Sequence, residues 1–342
     1  MWYVGLDVHW RTSTVCILDE NGREVKMVTL RGGWSKMLTW MENQVPRPFA
    51  VCYEASCGYG ALYDRLWPMA RRVVVAHPGQ VRLIFRAKRK TDRIDARKLA
   101  RLLFLDAVPP VYVPSLQVRS WRRLIEGRRR LVAKRTRVKN GLRSLLRSHG
   151  MRPPVRSLWT RKGLAWLRQV GWPSQTAALE RDLLVEELAT LESQVRRVTR
   201  ELNRVAAAHP GVSLLRTIPG VGPRTAEAVV AYIDDPDRFG HGGQVGSYFG
   251  LVPRQEQSGS LNRLGHITKE GPASVRHLVV ESAWQVIRRS PSARARFDRI
   301  CGGQKERRKI ALVAVAHWLL RCMHAMLRTG ELWRETASAA AA

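Results

Sequence analysis

The chain has 342 residues and 45% hydrophobic content, enough for two or three domains with real cores. Its 59 Lys and Arg against 28 Asp and Glu give a formal net charge of +31. That lies outside the range of ordinary soluble enzymes and points to a polyanionic partner, nucleic acid first and a membrane surface second. The N-terminus, Met1 to Asp7, lacks the basic segment and apolar stretch of a signal peptide. Even Ile310 to Leu320 contains His317 and is followed by Arg321, so no membrane span is expected and the protein reads as cytosolic. Cys16, Cys52, Cys57, Cys301 and Cys322 are odd in number, form no Cys-x-x-Cys pair and read as reduced core residues.

The first domain is expected over residues 1–110. Trp2 to His9, Thr12 to Asp19 and Glu24 to Leu30 are β-branched or alternating runs, with Asn21-Gly22 as a turn, and predict an antiparallel meander. A helix over Trp34 to Gln44, a strand over Phe49 to Tyr53, a helix over Gly60 to Met69, a strand over Arg72 to Ala76 and a helix from Asp92 complete an α/β pattern. Thr91 is a candidate N-cap, which places Asp92 and Asp95 in the first turn and on one helix face. Aspartates there also offset the helix dipole, and that alone would account for the pair. Asp7 in the first strand and Glu54 at the carboxyl end of the fourth are harder to explain so, because α/β sheets collect ligands at that end. Four converging carboxylates would repel one another unless cations held them. Mg²⁺ suits hard oxygen donors, and a pair of such ions supports phosphoryl transfer.

Gly5-Leu6-Asp7-Val8-His9, Tyr53-Glu54-Ala55-Ser56 and Lys90-Thr91-Asp92-Arg93-Ile94-Asp95-Ala96 resemble the acidic motifs of the DEDD insertion-sequence transposases. The resemblance implies an RNase H-like (RuvC-like) N-terminal domain in which Asp7, Glu54, Asp92 and Asp95 are catalytic and bind Mg²⁺.

Over residues 111–210, Pro109-Pro110 and Pro114 suggest a linker, followed from Leu116 to His149 by a basic amphipathic helix. Its arginines, Arg128, Arg129 and Arg130 among them, face the single acid Glu126, and a nucleic-acid surface is preferred over a merely solvated face. After Arg152-Pro153-Pro154, Leu184, Leu188, Leu191, Val195, Val198, Leu202 and Val205 form an a/d register. This predicts a coiled-coil arm that either pairs with a second arm or folds back on the basic helix.

Residues 211–335 read as a mainly α C-terminal domain, and 336–342 as a frayed tail. Ile218-Pro219-Gly220-Val221-Gly222-Pro223-Arg224 resembles a helix-hairpin-helix, with Gly220, Gly222 and Arg224 as candidate phosphate contacts. A structural helical turn is the alternative. Tyr248 to Ser260, a stretch with a polar, glycine-flanked serine in a basic loop, leads through Leu264 to Gly271 into a helix over Ala273 to Ile287, and Arg307 to Leu327 closes the chain. Ser258 would be an ordinary loop serine on its own. Gly250-Leu251-Val252-Pro253, then Ser258-Gly259 and Ile267-Thr268-Lys269-Glu270-Gly271, resemble the second domain of the same transposases, in which Ser258 matches the catalytic serine and Ser260 is its local competitor. Arg254, Arg263 and Lys269 are candidate phosphate clamps, although Thr268-Lys269 could instead cap the next helix. His317 and His324 read as core or surface histidines.

The resemblance implies a recombinase acting on donor and target double-stranded DNA through a phosphoserine link. It also implies guidance by a structured noncoding RNA and action as a homo-oligomer, dimer or tetramer. A Mg²⁺-dependent junction nuclease and a non-catalytic nucleic-acid scaffold are the rivals.

Overall fold

The computed structural model describes residues 1–84, 91–259 and 261–335, which leaves Lys90, Ser260 and the 336–342 tail outside the described residues. Contacts divide the chain into two units, Met1–Arg119 and Ser120 onward.

In the first unit, the alternating runs become β1 (Trp2–Val8), β2 (Thr12–Leu18) and β3 (Glu24–Arg31), an antiparallel meander. Gly22 turns the second hairpin at φ +75°, and Asp19 Oδ1 accepts from the Asn21 and Arg23 N–H groups. Helix α1 (Trp34–Gln44), β4 (Phe49–Glu54), α2 (Tyr59–Leu66) and β5 (Arg72–Ala76) follow. Strands β4 and β5 extend the sheet in parallel, giving the order β3-β2-β1-β4-β5 among the described residues. Helix α3 (Pro78–Ile84) was not predicted, whereas α4 (Asp92–Phe104) begins as expected, where the Thr91 hydroxyl accepts from Ile94 N–H.

Strand alternation sorts the two faces. Val4, Leu6, Val15, Ile17, Val51 and Val75 pack against Met37, Met41, Leu62 and Leu66 of α1 and α2. Ala50, Cys52 and Val74 meet Leu99, Leu102 and Leu103 of α4, while Cys16 and Leu18 meet Ala96 and Ala100. Burying each of those leucines contributes roughly 2 kcal/mol. At Gly5 the approach is closest, since a Cβ there would lie 2.1 Å from the Ala96 carbonyl oxygen. Only glycine lets α4 lie directly on β1.

The expected linker at Pro109-Pro110 is instead ordered against the sheet edge. His77 N–H donates to Pro109 O at 2.9 Å and Val111 N–H to Val75 O at 2.7 Å. Prolines suit this edge because their missing donors face away from the ladder.

The second unit contains most of α5 (Leu116–Ser148), then α6 (Arg161–Gln169) and α7 (Gln175–Ala207). Helix α6 was not anticipated; Thr160 caps it and Leu167 is fully buried. The α7 seam is filled by the basic helix of the same chain: Val185, Leu188 and Leu191 pack with Val138, Leu142 and Leu146, while Leu202 packs near Trp121 and Ile125. Lys139 pairs with Glu192 at 3.4 Å across the same antiparallel hairpin. Of the two arrangements expected from the heptad, the chain adopts the internal one.

The remainder is a helical core of α8 (Pro210–Leu215), α9 (Pro223–Ile233), α10 (Gly242–Tyr248), α11 (Ala273–Arg289), α12 (Pro291–Cys301) and α13 (Arg308–Thr329). Lys305–Thr329 does have the length and composition to cross a bilayer, contrary to expectation, but half of its apolar window is buried in this core. His324 is buried there with Nε2 2.9 Å from Pro236 O.

The basic loop expected around Ser258 is a hairpin, β6 (Pro253–Ser258) and β7 (Leu261–Ile267). Every β6 residue is exposed. With no buried face, its sequence carries no hydrophobic alternation to betray the strand.

Candidate active site

Strand β1 carries Tyr3, Gly5 and Asp7 on the face that α4 covers, so the Gly5 contact sets Asp7 beside the first turn of α4. Ligand atoms of Asp7, His9 and Asp92 all lie within 4.8 Å of one another. His9 Nε2 is 3.5 Å from Asp7 Oδ2 and 3.8 Å from Asp92 Oδ1. Burial holds the Asp7 carboxyl above its ordinary range; His9 opposes that, and the negative Asp92 and Asp95 reinforce it. Asp95 is one turn along α4, with Lys98 Nζ 3.4 Å from its Oδ1.

Glu54 ends β4, one residue past Tyr53, which pairs with Leu6. It therefore stands on the strand beside Asp7 at the same carboxyl edge. It does not join the Asp7, His9 and Asp92 cluster. Oxygen-rich donors whose mutual repulsion already disfavours the ionised state of Asp7 fit a divalent cation, which would relieve that repulsion. His9 was not singled out from the sequence. Its place two residues after Asp7, just beyond the end of β1, was the available signal.

Other candidates are scattered over the second unit. Ser258 ends β6 beside Gly259, which has φ +58°, and the Ser258 position is exposed. Arg254 and Arg263 are exposed on the two strands of the same hairpin. Lys269 is exposed at φ +58° with its N–H on Gly250 O at 3.2 Å. The capping alternative for Thr268-Lys269 fails, because α11 starts from Pro272 without a side-chain cap.

Gly220 has φ +97°, and a Cβ would lie 2.8 Å from the Gln285 carbonyl carbon, so this glycine is required for packing on α11. Gly222 is exposed at the start of α9. Pro223 lacks a donor, and the Val221, Thr225 and Ala226 N–H groups are bonded internally, which leaves the turn fewer free donors than its Gly-x-Gly pattern implies. Arg224 does not face outward: it reaches Asn203 Oδ1 at 2.5 Å and Glu227 Oε1 at 3.1 Å.

Glu227 is 1% exposed and its Oε2 has no hydrogen-bond partner among the described residues. Burial pushes its carboxyl up to about 7 despite Arg224 and Arg128 nearby. A carboxyl with a raised folded pKa is held protonated more tightly in the folded chain. Stability should therefore fall as pH rises from about 4.5 to about 7 and level off above, by about 3 kcal/mol in all. Glu227→Gln should remove this component, read as a flatter melting temperature between pH 5 and 8. Identical slopes in both proteins would refute the assignment.

Of the three arginines singled out on α5, Arg128 is half-buried and donates to Thr199 Oγ1 at 2.9 Å, and Arg129 pairs with Glu126. Arg130 is exposed, and with Arg123, Lys134 and Arg137 it forms an exposed stripe at helical spacing. Replacing Arg130, Lys134 and Arg137 with Ala should lower the log–log salt slope of duplex binding by up to about 2.7. Arg128→Ala should instead lower the melting temperature and leave the slope unchanged. The reverse pattern would mean that the buried arginine contacts phosphate.

Residues 4–151 match the DEDD_Tnp_IS110 transposase model, and residues 212–298 match that of the transposase IS116/IS110/IS902 family. A probable family 20 transposase of Pseudomonas aeruginosa is 30% identical over 80% of this chain and 81% of its own length. The transposase for insertion sequence element IS1111A of Coxiella burnetii is 26% identical over 83% of this chain and 78% of its own, and that for IS1328 of Yersinia enterocolitica is 24% identical over 79% and 80%. The class is thus an insertion-sequence transposase, a DNA-acting enzyme. Within that class the chain belongs to the IS110 family of DEDD transposases.

Proposed function

We propose that this transposase cuts and rejoins DNA strands by a serine mechanism assisted by Mg²⁺. The observation that supports it most is the convergence of Asp7 and Asp92, from distant parts of the chain, in a first unit we read as RNase H-like. Asp7, Glu54, Asp92 and Asp95 would hold the metal, with His9 beside them. Bound there, Mg²⁺ would supply Lewis-acid stabilisation of charge on the reacting phosphate. Ser258 Oγ forms a bond to phosphorus as a deoxyribose oxygen leaves, and the serine proton ends on the freed hydroxyl. One phosphodiester replaces another, so rejoining needs no ATP.

Arg254, Arg263 and Lys269 would grip the phosphates flanking Ser258. The helix-hairpin-helix reading of Gly220 and Gly222 adds a sequence-independent backbone contact. The α5 stripe would serve donor and target duplex and a structured noncoding guide RNA, and a homo-oligomer would bring two DNA ends together. In a test, protein, Mg²⁺, transcripts from the element's flanks and plasmids carrying donor and target should yield joined products. Products should be lost when either metal or transcript is left out. Joining without the transcript would remove the RNA from the proposal.

A junction nuclease is the second reading. It draws on the absence, among the described residues, of any side chain hydrogen-bonded to Ser258 that could serve as its base.

A further inference from the structure

Trp10, in the turn after β1, is 84% exposed, although burying an indole is among the larger apolar gains available to a fold. It forms one wall of a groove of about 710 Å³ with Arg11, Gly32, Gly33, Trp34 and Arg65. Trp34 is fixed: its ring closes on Gly58, where a Cβ would lie 2.6 Å away. Arg11 and Arg65 are exposed and form no ion pair among the described residues. An exposed aromatic face, a rigid second aromatic and two unpaired guanidinium groups are the parts of a site for a base and its phosphates.

We propose that this groove binds an unpaired nucleotide of the DNA strand, its base stacked on Trp10 and its phosphates held by Arg11 and Arg65. Position favours DNA over a protein occupant. Trp10 follows Asp7 by three residues, at most about 11 Å of chain, and His9 between them touches both Asp7 and Asp92. A strand crossing the carboxylates would pass this groove. Charge agrees, since a chain of net charge +31 with unpaired arginines here attracts phosphate. A paired base cannot offer its face to an indole, because its neighbours in the duplex already cover it; the groove therefore selects melted DNA. The proposal rests on the reading of DNA as the substrate at the carboxylates, and binding in EDTA separates the two because no cleavage is needed.

The test uses the full-length protein in EDTA with a 12-nucleotide single-stranded DNA, its duplex and the RNA of the same sequence, read by fluorescence anisotropy. Trp10→Ala should weaken single-stranded DNA binding by about tenfold, as expected for one lost stacking contact, and Trp10→Phe by no more than about threefold. Duplex affinity should be unchanged. Arg11→Ala and Arg65→Ala should each lower the single-strand salt slope by up to about 0.7. A 5-iodouracil oligonucleotide should crosslink to Trp10 under long-wavelength light. Unchanged single-strand affinity in Trp10→Ala, an equal loss on duplex, tighter binding of RNA than of DNA, or crosslinking elsewhere would each overturn the proposal.

Discussion

Asp92→Asn should reduce strand cleavage by about 10³-fold or more while leaving duplex affinity within about twofold. The substitution keeps the shape and the position in the first turn of α4, and removes one negative charge from a cluster whose ligand atoms lie within 4.8 Å of each other. Losing a ligand from a site that stabilises developing phosphate charge costs several kcal/mol of barrier, and about 4 kcal/mol corresponds to that factor. DNA affinity is spared because phosphate is gripped by cations elsewhere. A second readout is independent of cleavage: Mg²⁺ should raise the melting temperature of the wild type more than that of Asp92→Asn, since a ligand bound only by the folded state stabilises it. Asp95→Asn should behave alike, with Lys98 freed from its 3.4 Å pairing. Full cleavage by either variant would end the metal-site reading.

The other large effect is at Ser258. A nicked suicide substrate, incubated with protein, Mg²⁺ and flanking transcript, should leave DNA bonded to the polypeptide after denaturation, within the 254–263 peptide. Ser258→Ala should abolish both adduct and cleavage, because without the hydroxyl no covalent intermediate forms. Ser260→Ala should retain both. If water is the nucleophile, cleavage gives free ends and survives Ser258→Ala near the wild-type rate, which would leave the nuclease reading standing. An adduct at Ser260 would keep the chemistry and move the residue.

Much of the first unit was legible because its signals are local. Alternation at Trp2 to Val8 and Thr12 to Leu18, the Asn21-Gly22 turn and the Thr91 cap each act within a few residues, and each appears in the structure. The approach of Asp7 to Asp92 was inferred from chemistry and from family resemblance. Its physical cause, the missing side chain at Gly5, is a long-range contact that no periodicity announces. What remained hidden had weak or misleading patterns. Helix α3 has seven residues and includes Gly79, the β6–β7 hairpin lacks a buried face, and the prolines before α5 serve an edge. Charge misled at Arg128, an arginine of a basic run that turned inward to Thr199, and the Gly-x-Gly pattern misled at Arg224, which turned to Glu227. Sequence gives the sign of a residue but not the side of the helix it will occupy when the partner helix is unknown.

The direct seating of α4 on β1 makes the spacing between the two groups of acids a dimension of the backbone. No side chain intervenes at Gly5, so there is no soft layer to absorb or transmit changes in the surrounding core. Repacking Leu99 or Leu103 alters how firmly α4 is held without retuning where Asp92 stands relative to Asp7. Position 5 works differently: each added carbon acts as a wedge that lifts the helix and carries both of its aspartates away together. It is a one-residue gauge of the spacing between the Asp7 and Asp92 carboxylates.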